Sequence, residues 1–234
     1  MAGTINVITS RPERSDLRFG AGIGNFGVNQ QNGSASLLWR RFDTELSAER
    51  DFPSGFRPDR DYRNLSLLSS TGAQTDLGRS QLMLAYGDKP YGADQFYGPF
   101  NSWERTKSWF TGFQQDLGGK TEFDFGFRRH TDEFVLFRDN PSVYENNHID
   151  KSWQAGLRRH ENVSRNATLF YGGEGIHESI TSNNLGDHDS SRGAVYVDYD
   201  VRALKRFSFS AGAREEILSS SHASSVRLLQ QESG

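Results

Sequence analysis

The spacing of its breaks restricts this chain more than any single motif. From about Asp16 to Glu216 the sequence repeats one pattern, near ten residues of period-two alternation followed by an interruption. Phe123, Phe125 and Phe127 alternate with Glu122, Asp124 and Gly126, and Val195, Val197, Tyr199 and Val201 with Ala194, Tyr196, Asp198 and Asp200. Leu82, Leu84 and Tyr86, then Phe207, Phe209, Ala211 and Ala213, follow the same rule. About eleven such segments occur, and none has apolar residues at helical spacing, so the chain reads as antiparallel and all-β. The interruptions alternate in length with strand number. Compact ones fall near Phe42 and Asp43, then at 71–78, 116–120, 160–164 and 202–205; long ones at 51–61, 87–105, 130–150 and about 175–192. The first, at 25–31, is intermediate.

In an up-and-down sheet every second connection lies on the same side, so one rim carries turns and the other carries loops. Strands of about ten residues with one apolar and one polar face complete the pattern of a transmembrane β-barrel, here about eleven strands of a larger one. The composition agrees. Only 34% of the residues are hydrophobic, 24 are glycine and the mean hydropathy is −0.72, a thin core for a soluble globule of 234 residues. In a barrel the inner face meets water, so Arg, Gln, Asp and Gly there cost no core. The reading places Phe123, Phe125, Phe127, Val195, Val197, Phe207 and Phe209 toward lipid, and Arg18, Gln81, Asp124, Asp198 and Arg214 toward the lumen.

Other classes are excluded or weakened. A net charge of −3 and a pI near 6.1 leave no electrostatic footprint for nucleic acid. Without cysteine there is no disulfide, thiolate metal site or thiol catalysis. No run approaches a membrane helix, and the first residues lack the basic start and apolar core of a signal peptide. Gly22-Ile23-Gly24-Asn25-Phe26-Gly27 fits the glycine pattern of a dinucleotide-binding turn, but that mechanism needs a helix opening on the last glycine. Asn32-Gly33 and the alternation of Ala35, Leu37 and Trp39 predict a second strand instead.

The segment Gly3-Thr4-Ile5-Asn6-Val7-Ile8-Thr9-Ser10-Arg11-Pro12 resembles the last plug-domain segment of TonB-dependent outer-membrane receptors, and it sits immediately before the barrel pattern. The sequences at 87–110 and 128–148 look like loops of cobalamin-receptor-like members. The resemblance implies a barrel of about 22 strands, closed by an N-terminal plug on which a TonB-type periplasmic energiser pulls. It implies residence in the outer membrane of a Gram-negative-type bacterium, contact with outer-membrane lipid, and uptake of a bulky solute of the cobalamin or ferric siderophore class. Residues 1–14 then form the end of the plug, 15–217 a partial barrel, and 218–234 an irregular tail in which "SSSHASSVRLLQQESG" does not alternate like a strand. The rest of the plug and its energiser-binding box are missing from this sequence. Made alone, such a chain is expected to form an open curved sheet that aggregates, because unpaired edges are costly in hydrocarbon.

Within the long connections, large rings stand out. Tyr91, Tyr97 and Trp103 in one loop and Phe137 and Tyr144 in another are the candidate ligand-binding residues, either capturing a bulky solute or packing on one another. His130, Glu133 and His148, and separately His177, Asp187 and His188, invite a metal reading, but they lack the i, i+4 spacing of a zinc site. Asp59 and Asp61, or Asp187 and Asp189, offer oxygen atoms for calcium without a full calcium loop. No nucleophile elbow or triad frame is present, so no enzymatic activity, resident metal or cofactor is expected. A passive porin or a loop-displaying adhesin is the alternative, and the plug-like segment argues against it.

Overall fold

The computed structural model describes residues 12–204, 207–220 and 227–230. Its strands are β1 (Asp16–Ile23), β2 (Asn29–Trp39), β3 (Phe42–Asp51), β4 (Asn64–Gln74), β5 (Arg79–Gly92) and β6 (Trp103–Leu117). They continue with β7 (Thr121–Val135), β8 (Glu145–Ser164), β9 (Ala167–Ser182), β10 (Gly186–Leu204), β11 (Phe207–Ser220) and the short β12 (Arg227–Gln230). Each strand pairs antiparallel with its neighbour in sequence, giving one sheet in the order β1 to β12. Two single 3-10 turns, Asn25–Gly27 and Pro141–Val143, are the only helical elements among the described residues. The expected all-β, up-and-down architecture is therefore the observed one. The glycine motif closes no nucleotide-binding helix, since β1 ends at Ile23 and a 3-10 turn with Phe26 at φ 59° leads straight into β2. Of the plug-like segment only Pro12 is described; residues 3–11 lie outside the described residues.

The compact turns sit close to where the sequence placed them. Two are displaced: Arg40 and Arg41 make the first, with Phe42 already paired to Trp39, and the one expected at 160–164 falls at 165–166, because β8 runs on to Ser164. At 118–120 the turn needs two successive positive φ values, 67° at Gly118 and 72° at Gly119, which only glycine adopts without strain. The first long connection, 52–63, keeps its expected length, whereas the other three are shorter than expected because the strands overrun them. β8 has 20 residues and β10 has 19. The expected loop at about 175–192 is almost entirely strand, with β9 and β10 joined by residues 183–185 alone. Its sequence is polar on both faces, so the alternation that marks a strand in lipid is missing where both faces are wet.

Register fixes which residues share a face. Leu82 pairs with Phe113, Phe113 with Phe125, and Phe125 with Ala155, while Phe123 connects through Leu157 and Gly173 to Val195. Gln81, Gln114 and Asp124 form the adjacent row on the other face. The apolar face leaves Phe19 80%, Val195 62% and Phe209 62% exposed, a burden no water-facing surface carries over a whole sheet. The polar face is laced by ion pairs, Arg79 on Asp43, Arg158 on Glu122 and Arg214 on Glu174.

The apolar band also drifts. The row through Gly20 on β1 reaches His188 on β10 nine strands later, yet the apolar stretch of β10 is centred near Asp198. A slide of about ten residues, at ~3.3 Å per residue and ~4.8 Å per strand, sets the strands about 37° from the normal to the band. That is the tilt of a membrane barrel. On β7 the band lies between Thr121 and Arg129, and on β8 between Lys151 and Arg159. At that tilt each interval spans about 21 Å, close to the ~25 Å apolar belt of such barrels.

Candidate functional site

The tightest packing in the described protein lies at the long-loop rim. Ala93 and Ser102 are fully buried there and Val135 nearly so. Ala93 N–H donates to the Ser102 carbonyl at 2.8 Å, and Ser102 Oγ donates to the Leu136 carbonyl at 3.0 Å, which ties loop 93–102 to loop 136–144. Loop 52–63 joins them through Gly92, whose N–H donates to Asp61 at 2.7 Å. A Cβ at Gly92 would stand 2.0 Å from the Asp59 carbonyl oxygen, so this close approach admits only glycine. The first connection is bound in as well, with Phe26 against Phe56 at 4.5 Å and Ser54 N–H on the Phe26 carbonyl at 2.8 Å.

Arg138 is the hub. Its guanidinium donates to both carboxylate oxygens of Asp61, at 2.5 and 3.1 Å, and reaches Asp59 at 3.4 Å, while Asn101 donates to Asp59 at 3.1 Å. The hydrogen bonds from Arg138 hold the Asp61 carboxyl below the usual carboxylate range. Asp59 and Asp61 are thus committed to a cation already present in the chain, which removes this pair from the calcium reading.

The aromatic candidates divide by face. Tyr91, Glu104 and Phe134 lie in one row of the inner face. Tyr97 Oη donates to Glu104 at 2.8 Å, and the Tyr97 ring meets Phe134 edge-on at 5.2 Å. Tyr144 packs on Phe134 at 6.4 Å, and Phe137 on Phe100 at 5.5 Å. Trp103 does not join them. It pairs with Gly92 and Val135 in the row of the opposite face. Four of the five candidates therefore pack within the rim, among which Tyr97 and Tyr144 keep 55% and 41% exposure. Desolvation, then hydrogen bonding to Glu104 and Tyr97, pushes the Tyr91 phenol far above its ordinary range, so it serves as a neutral donor. Glu104 and Phe134, which sequence reading passed over, complete the cluster. Their signal was available only in register, Glu104 as the cross-strand partner of Tyr91 and Phe134 as that of Glu104.

Below this cluster, on the same face, Asp132 lies among Glu104, Asp150, His130 and His148. Desolvation, then the negative charge of Glu104, raises its carboxyl above the usual range, and Oδ1 has no hydrogen-bond partner. Each of the two histidine groups loses one member to the opposite face, Glu133 from the first and His188 from the second. His130 binds Ser108 at 2.7 Å on the inner face, whereas Glu133 belongs to the outer one. His177 binds Ser191 at 2.9 Å on the outer face, and His188 turns its Nε2 to the Leu185 carbonyl at 2.8 Å. Among the described residues no group of three ligating side chains converges for a metal.

A tilted sheet with a lipid-exposed apolar band, a polar inner face and loops gathered at one rim is the wall of a transmembrane β-barrel. No family model and no curated protein sequence matches the chain. Solved structures do. The FrpB iron transporter from Neisseria meningitidis superposes with a TM-score of 0.71 at 14% identity, over 94% of this chain and 43% of that one. The ferric-catecholate import receptor Fiu from E. coli K12 gives 0.64 at 11% identity, over 90% and 45%. The siderophore receptor PiuA from Acinetobacter baumannii gives 0.63 at 9% identity, over 95% and 46%. The fold is that of TonB-dependent receptor barrels, and the chain spans less than half the length of these receptors.

Proposed function

We propose that this chain forms part of the barrel wall and the capture rim of an outer-membrane receptor that takes up an iron chelate of the siderophore class. The observation that carries the reading is the inner-face cluster of Tyr91, Tyr97, Glu104, Phe134 and Tyr144, presented by loops that Arg138 holds together. Rings supply contact area at small conformational cost, and the pre-set loops lower the ordering cost of binding. The barrel likenesses are to iron and siderophore receptors, which favours an iron chelate over a cobalamin. Release inward would require a plug and a TonB-type periplasmic energiser, with residues 1–14 as the end of that plug and 15–217 as barrel.

The test is ligand binding by the whole receptor in detergent, with ferric catecholate, ferric hydroxamate and cyanocobalamin compared. Truncation of both Tyr97 and Tyr144 to Ala is expected to weaken binding of one ferric chelate by at least about tenfold, the order expected for losing two exposed ring contacts. Insertion should be unchanged. Unaltered affinity for every ferric chelate would mean that the rings serve loop packing alone, and tight cobalamin binding would move the ligand class.

A further inference from the structure

The outward wall carries a cationic patch that ligand capture does not use. On three successive strands the first outward residue beyond the apolar band is a cation: Lys107 after Trp109 on β6, Arg129 after Phe127 on β7, and Lys151 after Trp153 on β8. Arg129 and Lys151 are direct register partners. Like charges placed directly opposite each other repel across ~5 Å and destabilise a sheet, and neither has an ion-pair partner among the described residues. Lys107 faces Asp88 across the strand pair, but Asp88 is held bidentately by Arg105 at 2.7 and 2.8 Å. Asp189 continues the Arg129–Lys151 row two strands on, where the drift of the band has carried it well beyond Val195.

The other rim is built differently. There Arg159 and Lys120 both meet Glu161, at 2.5 and 2.6 Å, so the charges bordering the band are neutralised within the protein. Directly beneath the uncompensated cations lies an aromatic platform, with Phe127 on Trp153 at 4.1 Å and Tyr86 on Trp109 at 4.4 Å. Cations above rings at the edge of an apolar band match an amphiphile with an anionic head and acyl chains.

We infer that Arg129 and Lys151, assisted by Lys107, bind the phosphate-bearing headgroup of a lipid in the leaflet on the long-loop side, with its chains along Phe127, Trp153 and Trp109. This rests on the membrane reading of the barrel but not on the identity of its transported ligand. The lipid phosphate supplies the counter-charge that the sheet lacks.

The experiment compares the whole receptor with its R129Q/K151Q and K151E variants in neutral detergent doped with phosphatidylglycerol, phosphatidylcholine or inorganic phosphate. Retained lipid is read by native mass spectrometry and stabilisation by thermal unfolding. The wild type should retain phosphatidylglycerol in preference to phosphatidylcholine, and the double variant should lose about fivefold in that preference per cation removed. K151E should fold at least as well as the wild type, since Glu opposite Arg129 makes a cross-strand ion pair, yet lose the preference. Equal retention of the two lipids, or no loss in either variant, overturns the inference. An equal shift with inorganic phosphate alone overturns the lipid as occupant. Heat-modifiable migration in the same samples separates these outcomes from failure of the barrel reading, because only the latter abolishes it.

Discussion

Arg138 grips Asp61 through both terminal guanidinium nitrogens, at 2.5 and 3.1 Å, across 77 residues of sequence. One pair thereby couples loop 52–63 to loop 136–144, and Asn101 brings in loop 93–102 through Asp59.

Replacing Arg138 with Gln should loosen all three loops together. Both partners are partly exposed, so solvent screening limits the pair to about 0.5–1 kcal/mol. Amide exchange at Gly92 and Ala93 should accelerate by a few-fold while exchange at Phe125 is unchanged. Because Arg138 lowers the folded-state pKa of Asp61, its contribution is present above the ordinary carboxylate value and lost as pH falls through the lower folded one. The exchange difference between wild type and R138Q should persist at neutral pH and vanish in strong acid. A difference confined to loop 136–144 would show that the loops are not coupled.

Asp132 predicts the opposite slope. Its folded-state pKa is raised by desolvation and by Glu104, so the ionised form is penalised at neutral pH and relieved as pH falls. Asp132→Asn should raise the thermal midpoint of the detergent-refolded protein at pH 7, and the gain should shrink toward pH 4. A variant less stable at every pH would mean that His130 and His148 hold the carboxylate more strongly than burial opposes it.

The two faces of β7 should respond unequally to charge. Phe125 lies in the apolar row with Phe113 and Ala155, and Asp124 in the polar row with Gln114 and Gly156. Arginine on the lipid face near the midplane costs roughly 2–4 kcal/mol, and little in a wet lumen. Phe125→Arg should therefore impair heat-modifiable folding far more than Asp124→Arg, and equal effects would remove the membrane assignment.

Orientation can be read from single cysteines in this cysteine-free sequence. Asn184 lies in the connection of β9 and β10 on the long-loop side, and Arg165 in the turn between β8 and β9 on the other. On intact cells making the whole receptor, a membrane-impermeant maleimide should label Asn184→Cys and spare Arg165→Cys. The reverse pattern would invert the topology.

The sequence by itself determined the alternation of Phe123, Phe125 and Phe127, the turn at Gly118 and Gly119, and the division of the chain into two unlike rims. These are local consequences: hydrocarbon demands an apolar residue at every second position, and a tight turn demands positive φ. It also picked out rings at the rim, but it could not separate Trp103 from Tyr91, because face assignment in a loop depends on where the strand ends. Only the tertiary structure decided that β9 and β10 run on through residues 175–192, since a strand wet on both faces leaves no period-two trace. Only it opposed Arg129 to Lys151 and brought Arg138 to Asp61, because pairings between distant strands and loops are set by register and by the tilt of the whole sheet, which no short window of sequence contains.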